Sequence, residues 1–240
     1  MSTSALPDWL TPPRPEGWFA EDLDHLPEAP KHVELWDGAL ILNMSPQRRW
    51  HHDVILNLQI ALRDQAPEGL TVLSQFTIIL DNRTRPEPDI IVTGGPVADA
   101  RTWVAAEEVL LAVEVVSPES EQRDRKMKPP RYAESGIANF WRVEEEHGKP
   151  VVHTFERDET TGAYVATGIH RGSLHAAQPF EVTISLEHSN SLIKDKVLFG
   201  TDFPVLTPDR WLEDFVSREF KDEVRPLILK ENAIRLLELG

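Results

Sequence analysis

Two short apolar runs, each accompanied by one carboxylate, dominate the hydrophobic pattern of the chain. Residues 90–92 read Ile-Ile-Val directly after Asp89, and residues 109–116 are apolar except for Glu114. Uninterrupted apolar runs of this length predict strands that are covered on both faces of a sheet. If the two strands are neighbours, Asp89 and Glu114 converge, and their oxygens favour a hard divalent cation, Mg²⁺ or Mn²⁺.

Each of these carboxylates also has a purely structural interpretation. Asp89 follows Pro88 at the start of its strand and is placed to cap it. Glu114 alternatively forms a buried salt bridge, with Lys128 or Arg125 as the partner. In either case Glu114 requires a cation, because an unpaired carboxylate among valines is strongly disfavoured in its charged form.

The pattern before these runs predicts a hairpin and a helix. Val33 to Trp36 and Ala39 to Met44 are separated by Asp37-Gly38, a pair that favours the positive φ angles of a type I′ turn. Apolar residues then recur at spacings of three and four over residues 49–65, which predicts an amphipathic helix.

The pattern after the hairpin and helix predicts more sheet and a second helix. Residues 70–80 indicate one or two strands, and residues 97–108 a crossover that is partly helical. A helix is expected over residues 120–136, with Asp124, Lys128 and Tyr132 on one face. Because Pro129 and Pro130 lack backbone N–H groups, Lys128 is predicted to lie at a helix start or kink.

Composition narrows the class of protein. The chain has 240 residues, 40% of them hydrophobic, which suffices for one large domain or for one domain with an appendage. It contains no cysteine, which excludes disulfides and thiolate zinc sites. No apolar run approaches the ~20 residues of a membrane span, and the N-terminus lacks signal-peptide features. These features predict a cytoplasmic protein with no membrane partner.

The net charge of −15 argues against a general nucleic-acid coat. A basic cluster nevertheless follows the second apolar run, and it comprises Arg123, Arg125, Lys126, Lys128 and Arg131. This basic cluster is either a local phosphate-facing patch or an ordinary solvated helix face.

Several motifs occur in an order that resembles a known family. They are P-D-I-I-V from Pro88, V-E-V-V-S-P from Val113, D-R-x-x-K-P-x-x-Y-A-x-x-G-I from Asp124, and V-E-L-W-D-G from Val33. Together they resemble the putative restriction-endonuclease family, the Uma-two group within the PD-(D/E)XK nuclease superfamily, over residues 27–186. The resemblance implies an α/β fold with a restriction-endonuclease-like mixed β-sheet core flanked by helices, and metal-dependent phosphodiester hydrolysis.

The resemblance also implies further site residues. Glu34 corresponds to an accessory ligand or water-orienting base, and His51 to a histidine near a helix start. Val116 occupies the position where the superfamily usually has its lysine, so the family pattern places that lysine in the following helix at Lys128, with Lys126 as the second choice. The structural alternatives are an exposed cross-strand glutamate for Glu34 and a helix-terminus histidine bonded to a loop for His51.

The end of the chain has a different character. Residues 196–240 resemble the C-terminal fragment of a metal-dependent amidohydrolase, with Asp202 at the position of the metal-proximal aspartate. The H-x-H pair of such enzymes is absent, and about 250 residues are needed for their barrel. We therefore predict a Pro-rich arm over residues 1–30, a nuclease-like domain over residues 31–188, and a helical C-terminal appendage over residues 189–240.

Three functions are compatible with these features. The first is a Mg²⁺-dependent endonuclease that acts on nucleic acid, with DNA as the first expectation. The second is a non-catalytic nucleic-acid-binding or interaction module with a nuclease-like fold. The third, an amidohydrolase-type metal-dependent hydrolase, is disfavoured by the missing histidines. The sequence leaves the oligomeric state open, and a homo-oligomer is compatible with it.

Overall fold

The fold was analysed in a computed structural model, which describes residues 8–26, 30, 32–42, 48–187, 215, 225–232 and 234. The chain divides into two compact units, residues 1–187 and residues 188–240. None of the described helices combines the length and apolar composition that a membrane crossing requires.

The first unit is built largely from strands. Within the described residues these are β1 (Val33–Trp36), β2 (Ala39–Leu42), β3 (Thr71–Ser74), β4 (Thr77–Ile79), β5 (Ile90–Thr93), β6 (Trp103–Ala105), β7 (Val109–Val115), β8 (Asn139–Glu146), β9 (Lys149–Arg157), β10 (Tyr164–Arg171), β11 (Ser173–Ala176) and β12 (Val182–Ser185). The predicted hairpin is confirmed, and both Asp37 and Gly38 have positive φ, as its turn requires.

A six-stranded mixed sheet forms the centre of this unit, with the strand order β10-β9-β8-β7-β5-β3. Strands β7 and β8 run parallel, and the other neighbouring pairs are antiparallel. The mixed α/β architecture predicted from the sequence is confirmed. Strand β5 is buried throughout and β7 nearly so, as expected for apolar runs covered on both faces.

Strands β5 and β7 are neighbours, which is the condition under which Asp89 and Glu114 were expected to converge. Their register pairs Ile90 with Val113, which brings Asp89, one residue earlier, opposite Glu114, one residue later. Residues directly opposite each other in an antiparallel pair project from the same face of the sheet. The two carboxylates therefore lie on one side of the sheet.

Two helical segments flank the sheet. Helix α1 (Arg49–Gln65) has the predicted bounds and buries the stripe that contains Val54, Leu58 and Leu62. The second segment begins with a π-helical turn (Arg123–Met127) and continues as α2 (Lys128–Glu134). The π turn was not predicted. Its wider ring is closed by a hydrogen bond from the Lys128 N–H to the Arg123 carbonyl, just before two prolines that have no N–H to donate.

Two predicted regions are confirmed with added detail. The region 70–80 forms two strands, of which β3 joins the large sheet whereas β4 pairs in parallel with β6. Gln75 has a positive φ of 50° between them, and this kink redirects the chain. The crossover 97–108 is partly helical, with a short 3₁₀ turn (Ala106–Glu108), and it also contains β6, which was not predicted.

The start of the described chain packs on the hairpin. Trp18 and Ala20 form a small buried cluster with Leu35 of β1. Backbone hydrogen bonds in both directions join Leu35 to Arg85. Strand β1 is therefore fixed beside the segment that leads into β5, which brings its Glu34 toward the two carboxylates.

The second unit is described only in part. Residues 225–232 are helical and include a π-helical turn (Leu227–Glu231). Phe215 and Ile228 are buried together, with Leu229 against them. Asp202, the residue suggested by the amidohydrolase resemblance, lies outside the described residues.

Candidate active site

The site is organised around Asp89 and Glu114. Asp89 Oδ2 accepts a hydrogen bond of 2.6 Å from the Val115 N–H, which fixes the aspartate to the end of β7. Glu114 is 2% exposed, and both of its oxygens are engaged. Oε2 contacts the Lys128 ammonium at 2.8 Å, and Oε1 accepts a 2.6 Å hydrogen bond from the Tyr132 hydroxyl.

Lys128 lies inside the site rather than on its surface. Its Nζ is 2.8 Å from Glu114 Oε2, 3.1 Å from Asp124 Oδ1 and 3.3 Å from Glu34 Oε1, and the residue is 4% exposed. The contact with Glu114 is a hydrogen bond, and those with Asp124 and Glu34 are ion pairs within 3.3 Å. The salt bridge considered as the alternative for Glu114 is therefore present, with Lys128 and not Arg125 as the partner.

Glu34 is buried, at 1% exposure, and the alternative of an exposed cross-strand glutamate was wrong. Its Oε1 accepts the Glu87 N–H at 3.0 Å, and its Oε2 accepts the Trp36 indole N–H at 3.2 Å. The strand alternation of the hairpin did not reveal this burial, because the second face of β1 is covered by residues distant in the sequence. Glu34 thus joins the site through Lys128.

His51 enters from the first turn of α1. Its Nε2 lies 2.9 Å from the Val115 carbonyl oxygen and 3.6 Å from Asp89 Oδ2. Since a carbonyl can only accept, Nε2 carries a proton in this arrangement. Burial lowers the pKa of His51, but its hydrogen bond and attraction to Asp89 outweigh that effect and raise the pKa above its ordinary value.

All five residues predicted for the site are thus brought together, and two further residues belong with them. Asp124 and Tyr132 are both buried, and each contacts one member of the Lys128–Glu114 pair. The sequence analysis placed both on the same helix face as Lys128 without assigning them to the site. Their spacing of four residues on either side of Lys128 was the signal that indicated them.

We refer to Glu34, Asp89, Glu114 and Asp124 as the carboxylate cluster. Lys128 is the one lysine or arginine in contact with it among the described residues. Burial raises the pKa of Glu114 well above its usual range; Lys128 opposes this shift, and the other three carboxylates add to it. Burial lowers the pKa of Lys128, but Glu114, Glu34 and Asp124 outweigh it and raise that pKa well above normal. These directions keep the ammonium charged, and they make Glu114 easier to protonate than an ordinary carboxyl group.

A divalent cation of the kind that the sequence resemblance implies fits this chemistry. Two carboxyl groups on adjacent strands and the Val115 carbonyl are hard oxygen donors of the type Mg²⁺ and Mn²⁺ prefer. The carboxylate cluster has four carboxyl groups against one contacting ammonium among the described residues, which suits a positive ion. Among the described residues, however, no three His, Asp or Glu side chains are already arranged as a metal-binding group. The donors present are therefore suitable, but Glu114 has to share an oxygen that now contacts Lys128 or Tyr132.

The basic cluster is divided by the structure. Lys128 points into the site, whereas Arg125 and Lys126 are exposed. Arg125 pairs with Glu121 and Glu144, and Arg131 with Asp37. Much of the positive charge is therefore neutralised locally, and a phosphate-facing patch at these residues stays a prediction.

Similar proteins are found among family models and among solved structures. The model of the family described as "Uma2: Putative restriction endonuclease" matches residues 20–187, starting before the predicted residue 27. No curated protein matches significantly. Among solved structures, a putative nuclease belonging to DUF820 from Anabaena variabilis ATCC 29413 is similar with a TM-score of 0.49 and 14% identity, over 66% of this chain and 88% of that one.

Proposed function

We propose that this chain, which belongs to the Uma2 family of putative restriction endonucleases, is a divalent-metal-dependent endonuclease. It hydrolyses phosphodiester bonds of nucleic acid, and DNA is the substrate to test first. The observation that carries the proposal is the convergence of Asp89, Glu114 and Lys128 on one face of the sheet, from three separate segments of the chain.

Asp89, Glu114 and the Val115 carbonyl would hold Mg²⁺ or Mn²⁺. When bound, the ion supplies a water of lowered pKa and neutralises charge that develops on the phosphate. Residues of the chain do the positioning. The Val115 N–H orients Asp89 at 2.6 Å, and His51 orients the Val115 carbonyl at 2.9 Å.

The role that we assign to Lys128 differs from that of a surface lysine that binds phosphate. Its three carboxylate contacts fix the Glu114 side chain and keep a permanent positive charge next to the reacting groups. Glu34 holds both the Lys128 ammonium and the Glu87 N–H, which suits an accessory ligand or a water-orienting base. His51, with its raised pKa, contributes positive charge at the edge of the site over a wider pH range than an ordinary histidine.

One observation favours a second candidate, a non-catalytic nucleic-acid-binding module. Both Glu114 oxygens already have partners inside the chain, Lys128 and Tyr132, and a structural ion pair needs no further ion. Metal binding separates the two candidates. An enzyme of the proposed type takes up the ion through Asp89 and Glu114, whereas the non-catalytic module does not.

The decisive experiment is calorimetric titration with Mn²⁺ and Mg²⁺, followed by cleavage of supercoiled plasmid, single-stranded DNA and RNA. Asp89→Asn and Glu114→Gln remove the charge with little change in shape, and each should abolish measurable metal binding and cleavage. Asp53→Asn on α1 is the matched control, because Asp53 is partly exposed and pairs only with Arg49 among the contacts described. Wild-type protein that binds no metal through Asp89 and Glu114 would leave only the non-catalytic module.

A further inference from the structure

The three carboxylates around Lys128 come from different parts of the fold. Glu114 belongs to β7 and Glu34 to β1, whereas Asp124 lies four residues before Lys128 in the same helical segment. Under the proposed function, Glu114 is a metal ligand and Glu34 an accessory ligand or base. Asp124 is therefore the partner of Lys128 that has no other assigned task.

Asp124 is itself firmly placed. Its N–H donates to the Ser120 carbonyl at 2.9 Å, a hydrogen bond that fixes the Asp124 backbone. Ser120 is in turn tied to Ser117: the Ser117 N–H donates to Ser120 Oγ at 3.0 Å, and the Ser120 N–H donates to Ser117 Oγ at 3.2 Å. The turn after β7 therefore fixes the Asp124 backbone through Ser120. Because that backbone is fixed, the Asp124 carboxylate is held at 3.1 Å from the Lys128 ammonium.

The helix geometry couples Asp124 to Lys128 as well. The π turn over Arg123–Met127 starts one residue before Asp124 and is closed by the Lys128 N–H. Both residues are buried, at 1% and 4% exposure, on a segment whose neighbours Arg125 and Lys126 face solvent. Isolated π turns often occur at functional sites.

We propose that Asp124 is a positioning residue, which holds the Lys128 ammonium beside Glu114 and acts on the reaction only through Lys128. The inference rests on the proposed function. When Glu114 gives an oxygen to another partner, Asp124 keeps its 3.1 Å contact with the ammonium, because the hydrogen bond that fixes its backbone to Ser120 does not involve Glu114.

A double-mutant cycle tests the proposal with Asp124→Asn, Lys128→Met and the double variant. Asp124→Asn should lower kcat for plasmid cleavage by about 10- to 100-fold, the usual effect of losing a partner that orients a site residue, with KM little changed. In protein that already carries Lys128→Met, Asp124→Asn should lower kcat almost no further, because the ammonium that Asp124 contacts is absent. Glu121→Gln is the matched control: Glu121 forms an i,i+4 pair with Arg125 in the same segment but is exposed.

A second measurement, by NMR, does not depend on catalytic activity. In metal-free protein the Lys128 ammonium protons are shielded and should give a heteronuclear NMR signal that is absent from Lys128→Met. This signal should broaden, through faster exchange with water, in Asp124→Asn but not in Glu121→Gln. If Asp124→Asn does not fold, Asp124→Glu replaces it, because it keeps the charge and displaces it by one methylene.

The outcomes separate the two proposals. Cleavage by the wild type together with unchanged kcat and an unchanged ammonium signal in the Asp124 variant overturns the positioning role and leaves the nuclease function intact. If Asp124→Asn lowers kcat equally in wild type and in Lys128→Met, the positioning role is also overturned, because Asp124 then acts independently of Lys128. A wild type that neither binds metal nor cleaves nucleic acid refutes the proposed function, and the positioning role fails with it.

Discussion

Replacing Lys128 by methionine is the most informative perturbation of this site. Methionine has nearly the same length and shape, so the change removes the ammonium and little else. The three carboxylates within 3.3 Å of Nζ, on Glu34, Glu114 and Asp124, then remain buried at 1–2% exposure without the one cation that contacts them in the described structure.

The expected loss of stability is large. Removing one partner of a buried ion pair costs about 3–5 kcal/mol, because the remaining charge is left uncompensated in a poorly solvated place. Three contacts converge here, which puts the expectation at the upper end of that range. The loss is limited by protonation of Glu114, whose pKa burial already raises.

The pH dependence gives a second signature. A carboxyl group whose pKa is raised in the folded state binds more protons there than in the unfolded state. Between the unfolded value, about 4.3, and the raised folded value, stability therefore increases as the pH falls. We expect the stability deficit of Lys128→Met relative to wild type to shrink from pH 8 toward pH 5.

Urea denaturation followed by tryptophan fluorescence, in EDTA and across this pH range, measures both effects. Lys126→Met is the matched control, because Lys126 lies two residues earlier in the sequence and is exposed, and it should change the free energy of unfolding by less than about 0.5 kcal/mol. If a divalent ion binds at the carboxylate cluster, Mn²⁺ at 100 times its dissociation constant should restore about 2.7 kcal/mol.

A loss below about 1 kcal/mol for Lys128→Met, with no pH signature, would refute this reasoning. It would mean that the carboxylate cluster is solvated or protonated in the native protein, and that Lys128 does not compensate it.

Three further predictions concern single contacts. Tyr132→Phe removes the 2.6 Å hydrogen bond to Glu114 and should lower the free energy of unfolding in urea by about 1.5–3 kcal/mol, the range for bonds to charged groups; an unchanged midpoint would show that another donor replaces the phenol. Arg101, together with the Ala105 N–H, lowers the pKa of Glu108 to about 2. The ionised Glu108 carboxylate therefore stabilises the fold fully above the ordinary pKa of 4.5, and this stabilisation is lost as the pH falls toward 2. Glu108→Gln should flatten the stability curve in that window, and an identical curve would count against the pair. Gly38→Ala should cost at least about 1 kcal/mol in thermal or urea unfolding, because φ is +82° there and a Cβ would lie 1.9 Å from Arg83 Nη2; a neutral result would mean that the turn relaxes.

The local elements were largely predictable from the sequence. Helix α1 has the expected bounds, since its apolar stripe is regular enough to define the buried face. Strands β5 and β7 were evident from their apolar runs. The separation of β3 from β4 was not, because a single residue with positive φ, Gln75, sends them to different sheets. The π turn was missed because the sequence indicates only that a proline pair interrupts the normal helical hydrogen bonds.

Site membership was predictable to a similar degree. Asp89 and Glu114 stood out as carboxylates next to or within apolar runs, whereas Lys128 was placed in the site by the family resemblance. Glu34 and His51 were indicated only through a family resemblance, and their own patterns were equally compatible with exposed or helix-terminal roles. Their contacts, from Glu34 to the Glu87 N–H and from His51 to the Val115 carbonyl, join residues 53 and 64 positions apart.

The local sequence pattern was enough to predict which segments are extended or helical and that Asp89 and Glu114 lie in apolar surroundings, because burial leaves a periodic pattern within each element. Three facts were visible only in the folded chain: Lys128 is the counter-ion of the carboxylate cluster, Glu34 lies inside the cluster, and Asp124 contacts the ammonium. Those facts depend on packing between elements that are distant in the sequence, because that packing excludes water from the charged groups. The energy of a charge depends on the partners that such packing brings within about 3 Å of it, and no local pattern records those partners.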